Sequence, residues 1–185
     1  QAGSQVFLLD ANPGAADAAR AALQEQWNKL VTKGRIEADQ ATALTARLHP
    51  VTTVAELAAC DLVLEAIVER LDAKQALFVE LEGVVRADAV LATNTSSLSV
   101  TAIGASLKHP ERLAGFHFFN PVPLMKVVEV IAGLKTDPSI CTALAAYAKA
   151  MGHTPVQAQD TPGFIVNHAG LSLIHISEPT RPERI

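Results

Sequence analysis

Two ionisable side chains stand where burial would ordinarily exclude them. In "GFHFFNPVPLMKVVEVI", residues 115–131, His117 lies inside one apolar run and Glu129 inside another, with an Asn-Pro-Val-Pro elbow between them. A carboxylate touching an imidazole selects one ring tautomer and stabilises the imidazolium, so such a pair works as a general base near neutral pH. Charge attraction alone does not justify burying both groups, because desolvation opposes it. Two strands joined by a rigid elbow can be neighbours, which would let His117 and Glu129 face each other across a cleft. The competing reading of His117 is a hydrogen-bonded structural histidine.

Other polar residues stand where apolar runs stop. "QVFLLD" ends in Asp10, "DLVLEAI" carries Glu65 with Glu69 just beyond, "AVLATN" leads into Asn94-Thr95-Ser96-Ser97, and "RLAGFHFF" is followed by Asn120. Ligands in open α/β sheets bind beyond the carboxyl ends of the strands, which is where these residues would gather. Asp10 sits where a dinucleotide fold accepts hydrogen bonds from the adenosine ribose. A carboxylate there disfavours a 2′-phosphate and so favours NAD over NADP. A turn or helix-capping aspartate is the other reading. The hydroxyls at 95–97 either cap the next helix or face a ligand. Lys74, on a helix, reads as a solvated surface lysine.

The elements that must hold these residues follow from the hydrophobic pattern. Gln5–Asp10 reads as a buried parallel strand, and Asn12-Pro13 as the cap and first residue of a helix running to Val31, stopped by Lys33-Gly34. A second helix is expected near Glu37–Leu48, ending before Pro50, then a short strand in "VTTV" and a helical turn or two in "VAELAAC". Asp61–Ile67 reads as a strand. Residues 71–86 present a helical face of Leu71, Leu77, Phe78, Leu81, Val84 and Val85. "AVLATN", "RLAGFHFF", "KVVEVI" and "TPVQAQD" are further strands. "SVTAIGASL" and residues 138–151 are helices, and "TPGFIVNHAG" opens a last one. Strands alternating with helices of this length imply βαβ units and a mostly parallel sheet covered on both faces.

Composition narrows the class. With 185 residues, 49% apolar and 18% charged, the chain can build one substantial core, or one domain and part of another. A net charge of −4 with scattered Lys and Arg gives no reason to expect nucleic acid or an anionic membrane as partner. The six His are dispersed and form no recognisable metal set. Cys60 and Cys141 have no CxxC partner or His at ligand spacing, and read as reduced, packed thiols of a cytoplasmic protein. No run approaches 18 apolar residues and no charged region precedes an apolar one, which disfavours transmembrane and secretory readings.

Four segments in series carry a resemblance. "LVLEAIVERLDAKQALFVELE", "ATNTSSL", "GFHFFNPVPLMKVVEVI" and "DTPGFIVN" occur in the order and at the spacing of the L-3-hydroxyacyl-CoA dehydrogenases. Roughly residues 5–169 resemble the NAD-binding domain of that family, and look most like its bacterial 3-hydroxybutyryl-CoA or 3-hydroxyadipyl-CoA branch. The resemblance implies a Rossmann-like, doubly wound fold, NAD as cofactor and an acyl-CoA as substrate, with a homodimer for the full-length protein. It implies that His117 is the catalytic base and Glu129 its orienting carboxylate. It also implies that Ser96 and Asn167 meet the substrate, and that Asp10, Glu69, Lys74 and Asn120 contact the cofactor.

The chain departs from the family pattern at both ends. The fingerprint G-x-G-x-x-G is absent and is expected, with the first strand, upstream of residue 1. Residues 1–162 read as a partial NAD-binding domain and 163–170 as the start of the family's helical C-terminal domain, which is otherwise essentially absent. Residues 171–185 resemble nothing in the family and read as a non-native tail, so the fragment itself is expected to have little activity. Two alternatives share parts of the pattern. One is a relative acting on free hydroxy or sugar acids, which has the same His and Glu. The other is a non-catalytic dinucleotide-binding module, which needs no base.

Overall fold

A computed structural model describes residues 3–165 and residue 167. The chain forms two compact units, one from the residues up to Cys60 with Gly83–Arg86, the other from Asp61–Glu82 and the residues from Ala87 onward. Among the described residues no helix is long and apolar enough to cross a membrane.

In the first unit, β1 (Val6–Leu8) pairs in parallel with β2 (Leu48–Pro50), and α1 (Ala15–Thr32) and α2 (Ala38–Thr45) connect them. Four expectations need correction here. Helix α1 starts two residues later than the Asn12-Pro13 signal, because Gly14 takes the left-handed backbone (φ 78°) and serves as its N-cap. Helix α2 stops at Thr45, and Leu48-His49-Pro50 is a strand. Pro50 is tolerated in that strand because a two-stranded sheet leaves backbone donors without ladder partners anyway. The expected "VTTV" strand is instead the entry to a 3-10 turn, Val54–Leu57. Thr53 and Glu56 close a reciprocal capping box there, which satisfies the orphan N–H groups locally. Finally, Val6 and Phe7 are exposed, because so narrow a sheet cannot bury both faces of a strand.

In the second unit the sheet order is β3-β4-β5-β6-β7. The strands are β3 (Leu62–Glu65), β4 (Val90–Thr93), β5 (Leu113–Phe118), β6 (Val127–Ala132) and β7 (Thr154–Gln159). The helices are α3 (Leu71–Val84), α4 (Val100–Gly104) and α5 (Pro138–Ala150). All neighbours are parallel except β5 and β6, which run antiparallel. This is the mostly parallel α/β sheet the pattern predicts. Side-chain alternation gives β5 and β6 two distinct faces. Ala114, Phe116, Val128 and Val130 share a core with Cys141, Leu144 and Ala148 of α5. His117 and Glu129 point to the opposite face, where α4 packs.

Cys141 is buried and Cys60 only half-buried, and among the described residues neither forms a disulfide. "TPGFIVNHAG" runs as a turn from Thr161 to Ile165, with Asn167 helical. The rest of the helix expected in "TPGFIVNHAG" and all of 171–185 lie outside the described residues.

Candidate active site

The antiparallel register puts His117 directly opposite Glu129. Opposed residues in such a pair point to the same face with Cβ atoms about 5 Å apart, close enough for a direct hydrogen bond. His117 Nδ1 lies 2.8 Å from Glu129 Oε2. A carboxylate only accepts, so Nδ1 carries the hydrogen and donates it, which in the neutral ring leaves the lone pair on Nε2. The second oxygen, Oε1, accepts the backbone N–H of Ile165 at 2.9 Å. Glu129 is fully buried and His117 nearly so. The imidazole is flanked by Phe119 and Phe164, at centroid distances of 4.5 and 5.8 Å. The elbow reverses the chain between two apolar strands so that His117 and Glu129 meet.

Gly115, two residues before His117 and on the same face, allows this packing. A Cβ there would lie 2.8 Å from Ile131 Cβ and 3.0 Å from Val100 Cγ2. The end of β5 is also tied sideways, since Asn94 Oδ1 accepts the Phe118 N–H at 2.8 Å.

A second polar cluster lies at the carboxyl ends of β3 and β4. Glu65 Oε2 accepts the Thr93 hydroxyl at 2.7 Å, and Oε1 accepts the Ile67 N–H at 2.6 Å. Lys74 Nζ donates to Glu65 Oε1 at 2.6 Å and lies 3.3 Å from Glu69 Oε2. Lys74 is thus not a surface lysine: its side chain is 1% exposed. It reaches inward because it stands four residues before Phe78 and seven before Leu81 on the buried stripe of α3. That spacing was the available signal, but the residue's charge pointed the other way.

Glu69 turns its other oxygen to the β4–α4 loop. Oε1 accepts the Thr95 hydroxyl at 2.5 Å, the Ser96 N–H at 2.9 Å and the Ser97 N–H at 3.2 Å. Partial burial works against the charge, but the Thr95 and Ser96 donors and the Lys74 ammonium outweigh it. Together they lower the Glu69 pKa to about 2. Ser96 is exposed on this loop, and its carbonyl accepts from Asn167 Nδ2 at 3.4 Å. Asn120 is exposed just beyond β5.

The second unit therefore joins His117 to Glu129 and links Lys74, Glu69, Ser96 and Asn167 in a second cluster, while Asn120 stands exposed beyond β5. Asp10 belongs to the first unit, where its Oδ1 accepts the Asn12 N–H at 2.7 Å and Asn12 Nδ2 at 3.1 Å, closing a turn. Sequence reasoning placed Glu65 among the strand-end polar residues without giving it a role, and it anchors Lys74; Asp160, whose carboxylate binds the start of α4, was passed over. Asp160 stood inside the quoted "DTPGFIVN", but only its last residue was assigned a role.

Residues 1–161 match the 3-hydroxyacyl-CoA dehydrogenase, NAD binding domain. The chain is 46% identical over 165 residues to a 3-hydroxyadipyl-CoA dehydrogenase of Escherichia coli (strain K12), covering 89% of this chain and 35% of that protein. It is 38% identical over 173 residues to a 3-hydroxybutyryl-CoA dehydrogenase of Clostridioides difficile, covering 94% of this chain and 62% of that one. The crystal structure of (S)-3-hydroxybutyryl-CoA dehydrogenase from Ralstonia eutropha matches with a TM-score of 0.89 at 32% identity, over 94% of this chain and 61% of that one. The chain thus spans 35% to 62% of the length of the curated relatives cited. By its matched residues and by its sheet, this chain belongs to the family of 3-hydroxyacyl-CoA dehydrogenase NAD-binding domains.

Proposed function

We propose that the full-length protein carrying this chain oxidises the 3-hydroxyl of a (3S)-3-hydroxyacyl-CoA to a ketone with NAD⁺, in fatty-acid or phenylacetate-type degradation. The observation that carries the reading is the His117–Glu129 pair, held at 2.8 Å between opposed residues of β5 and β6. Glu129 holds the tautomer in which Nε2 accepts a proton, and offsets the positive charge that His117 gains when it takes one from the substrate hydroxyl. Phe119 and Phe164 shield the ring from water, which strengthens that electrostatic support. NAD, when bound, supplies the hydride acceptor.

The residues at the carboxyl ends of β3 and β4 fit such a cofactor. A carboxylate held anionic at position 69 suits a hydroxyl-rich dinucleotide, and Lys74 fixes that carboxylate from inside. Glu69 and Asn120 are its proposed contacts, with Lys74 acting through Glu69, and Ser96 and Asn167 are those of the acyl substrate. A cytoplasmic homodimer completes the proposal.

The test is His117→Gln in the full-length protein, with reduction of acetoacetyl-CoA followed by loss of NADH. A positioned general base contributes about 10²–10⁴-fold, so the rate should fall by at least about 10². An unaltered rate refutes the assignment. Comparing acetoacetyl-CoA with a free 3-oxo acid on the unmodified protein separates a CoA-linked substrate from the free acids of related dehydrogenases.

A further inference from the structure

Asp160, immediately after β7, touches neither His117 nor Glu129, yet it joins the segments that surround them. Its Oδ1 accepts the Val100 N–H at 2.8 Å. Its Oδ2 accepts the Ser99 hydroxyl at 2.7 Å and the Thr101 N–H at 2.8 Å. Burial disfavours the carboxylate, but the donors from Thr101, Ser99 and Val100 outweigh it and hold the carboxyl below its ordinary range. These bonds cross 59 to 61 positions of sequence. They are not needed merely to start the helix, because Ser99 already caps α4 by accepting the Ala102 N–H at 3.1 Å.

The tether works in two directions. Toward the sheet, Val100 seats against Gly115, on the face of β5 that carries His117. Toward the carboxyl end, the chain runs on as Thr161–Ile165, a turn that belongs to no strand or helix. That turn delivers the Phe164 ring to His117 and the Ile165 N–H to Glu129 Oε1. Two positive-φ residues, Gly163 (75°) and Phe164 (50°), shape it. Lacking a ladder of its own, the turn takes its position from its ends. One end is the Ile165–Glu129 hydrogen bond and the other is Asp160.

We infer that Asp160 is a positioning residue for proton transfer. By pinning the 161–165 turn to the start of α4, it sets where Phe164 and the Ile165 N–H meet the pair. The inference rests on His117 and Glu129 being the base and its orienter. It separates from that reading experimentally, because Asp160 acts on the pair through Phe164 and Ile165, its own bonds going to Ser99, Val100 and Thr101.

The experiment compares Asp160→Ala, Asp160→Asn, Phe164→Ala and the Asp160→Ala/Phe164→Ala double variant in the full-length protein. It measures kcat, KM for NAD⁺ and thermal midpoint, with His117→Gln alongside. A misplacement of about 1 Å costs about 10²-fold, so Asp160→Ala should lower kcat by that order while KM for NAD⁺ stays within about twofold. Asp160→Asn keeps one acceptor oxygen and should lose about tenfold less. Because both act through the same contact, Phe164→Ala should add less than about threefold in the Asp160→Ala background. A kcat within about twofold of the unmodified protein in Asp160→Ala, or losses that multiply in full, overturns the inference. Should Asp160→Ala not fold, Asp160→Asn decides alone, an unchanged kcat being the overturning result. Loss of activity in His117→Gln with none at Asp160 sinks this inference only. Retained activity in His117→Gln sinks the reading beneath it.

Discussion

Replacing Glu129 by Gln changes one oxygen to an NH₂ group and tests how the carboxylate acts. Its Oε1 accepts the Ile165 N–H at 2.9 Å and its Oε2 the His117 N–H at 2.8 Å. An amide has one acceptor oxygen for these two donors. If that oxygen stays with Ile165, the NH₂ group faces Nδ1, which must give up its hydrogen. The hydrogen then sits on Nε2, where it blocks acceptance of the substrate proton. If the amide turns over, the part-buried Ile165 N–H is left facing a donor and loses its bond, at a cost of about 1 kcal/mol. Either way the charge that offsets the imidazolium is gone. Unit charges about 4 Å apart attract by about 4 kcal/mol at an effective dielectric of about 20. At about 1.4 kcal/mol per tenfold, that predicts a loss of about 10³ in kcat. The assay is the initial rate of NADH formation with a 3-hydroxyacyl-CoA in the full-length protein, with a thermal melt to confirm folding. A folded Glu129→Gln variant within tenfold of the unmodified kcat would refute the orienting role.

Three further outcomes follow from the same contacts. Gly115→Ala drives a methyl to 2.8 Å from Ile131 and should destabilise by about 1–3 kcal/mol in urea unfolding, with kcat falling as β5 shifts. No measurable change would mean that β5 yields there without cost. Lys74→Met strands the buried Glu65 carboxylate and should cost about 3–5 kcal/mol, and the Glu65→Gln/Lys74→Met double variant should recover part of that loss. A loss below about 1 kcal/mol in the single variant would show the pair to be unimportant. Glu69 titrates near 2 when folded against an ordinary 4.5, so its contribution to stability is present above pH 4.5 and lost as the pH falls toward 2. The stability gap between the unmodified protein and Glu69→Gln should therefore close across that range, and a gap independent of pH would contradict the shift.

Much of the site was legible because its chemistry lies where the pattern itself is strong. Continuous apolar runs marked β4, β5 and β6, and an ionisable residue inside such a run stands out against them. Opposition of His117 and Glu129 needed only the reversal at the elbow. Lys74 was misread for the opposite reason. Its position on the Phe78–Leu81 stripe argued for burial, but its partners, Glu65 and Glu69, come from a different element, and no local pattern shows them. The strand at Leu48–Pro50 was hidden in the same way, since its reason for existing is pairing with Val6–Leu8 some forty positions earlier. Asp10 kept two readings in the sequence, and its bonds to Asn12 account for a turn role. The role of Asp160 depends on donors in α4 about sixty positions before it, beyond the reach of any periodicity.

The antiparallel pairing of β5 with β6 has a consequence for how this region can vary. Residues 121–126 contribute neither member of the pair nor the Phe119 ring beside it, so insertions or deletions there leave the His117–Glu129 geometry alone as long as the two strands keep their partners. A slip of a single residue within the pairing would instead carry the carboxylate through to the α5 side, among Phe116 and Val128. Tolerance in the hairpin and intolerance in its arms is the variation this architecture permits.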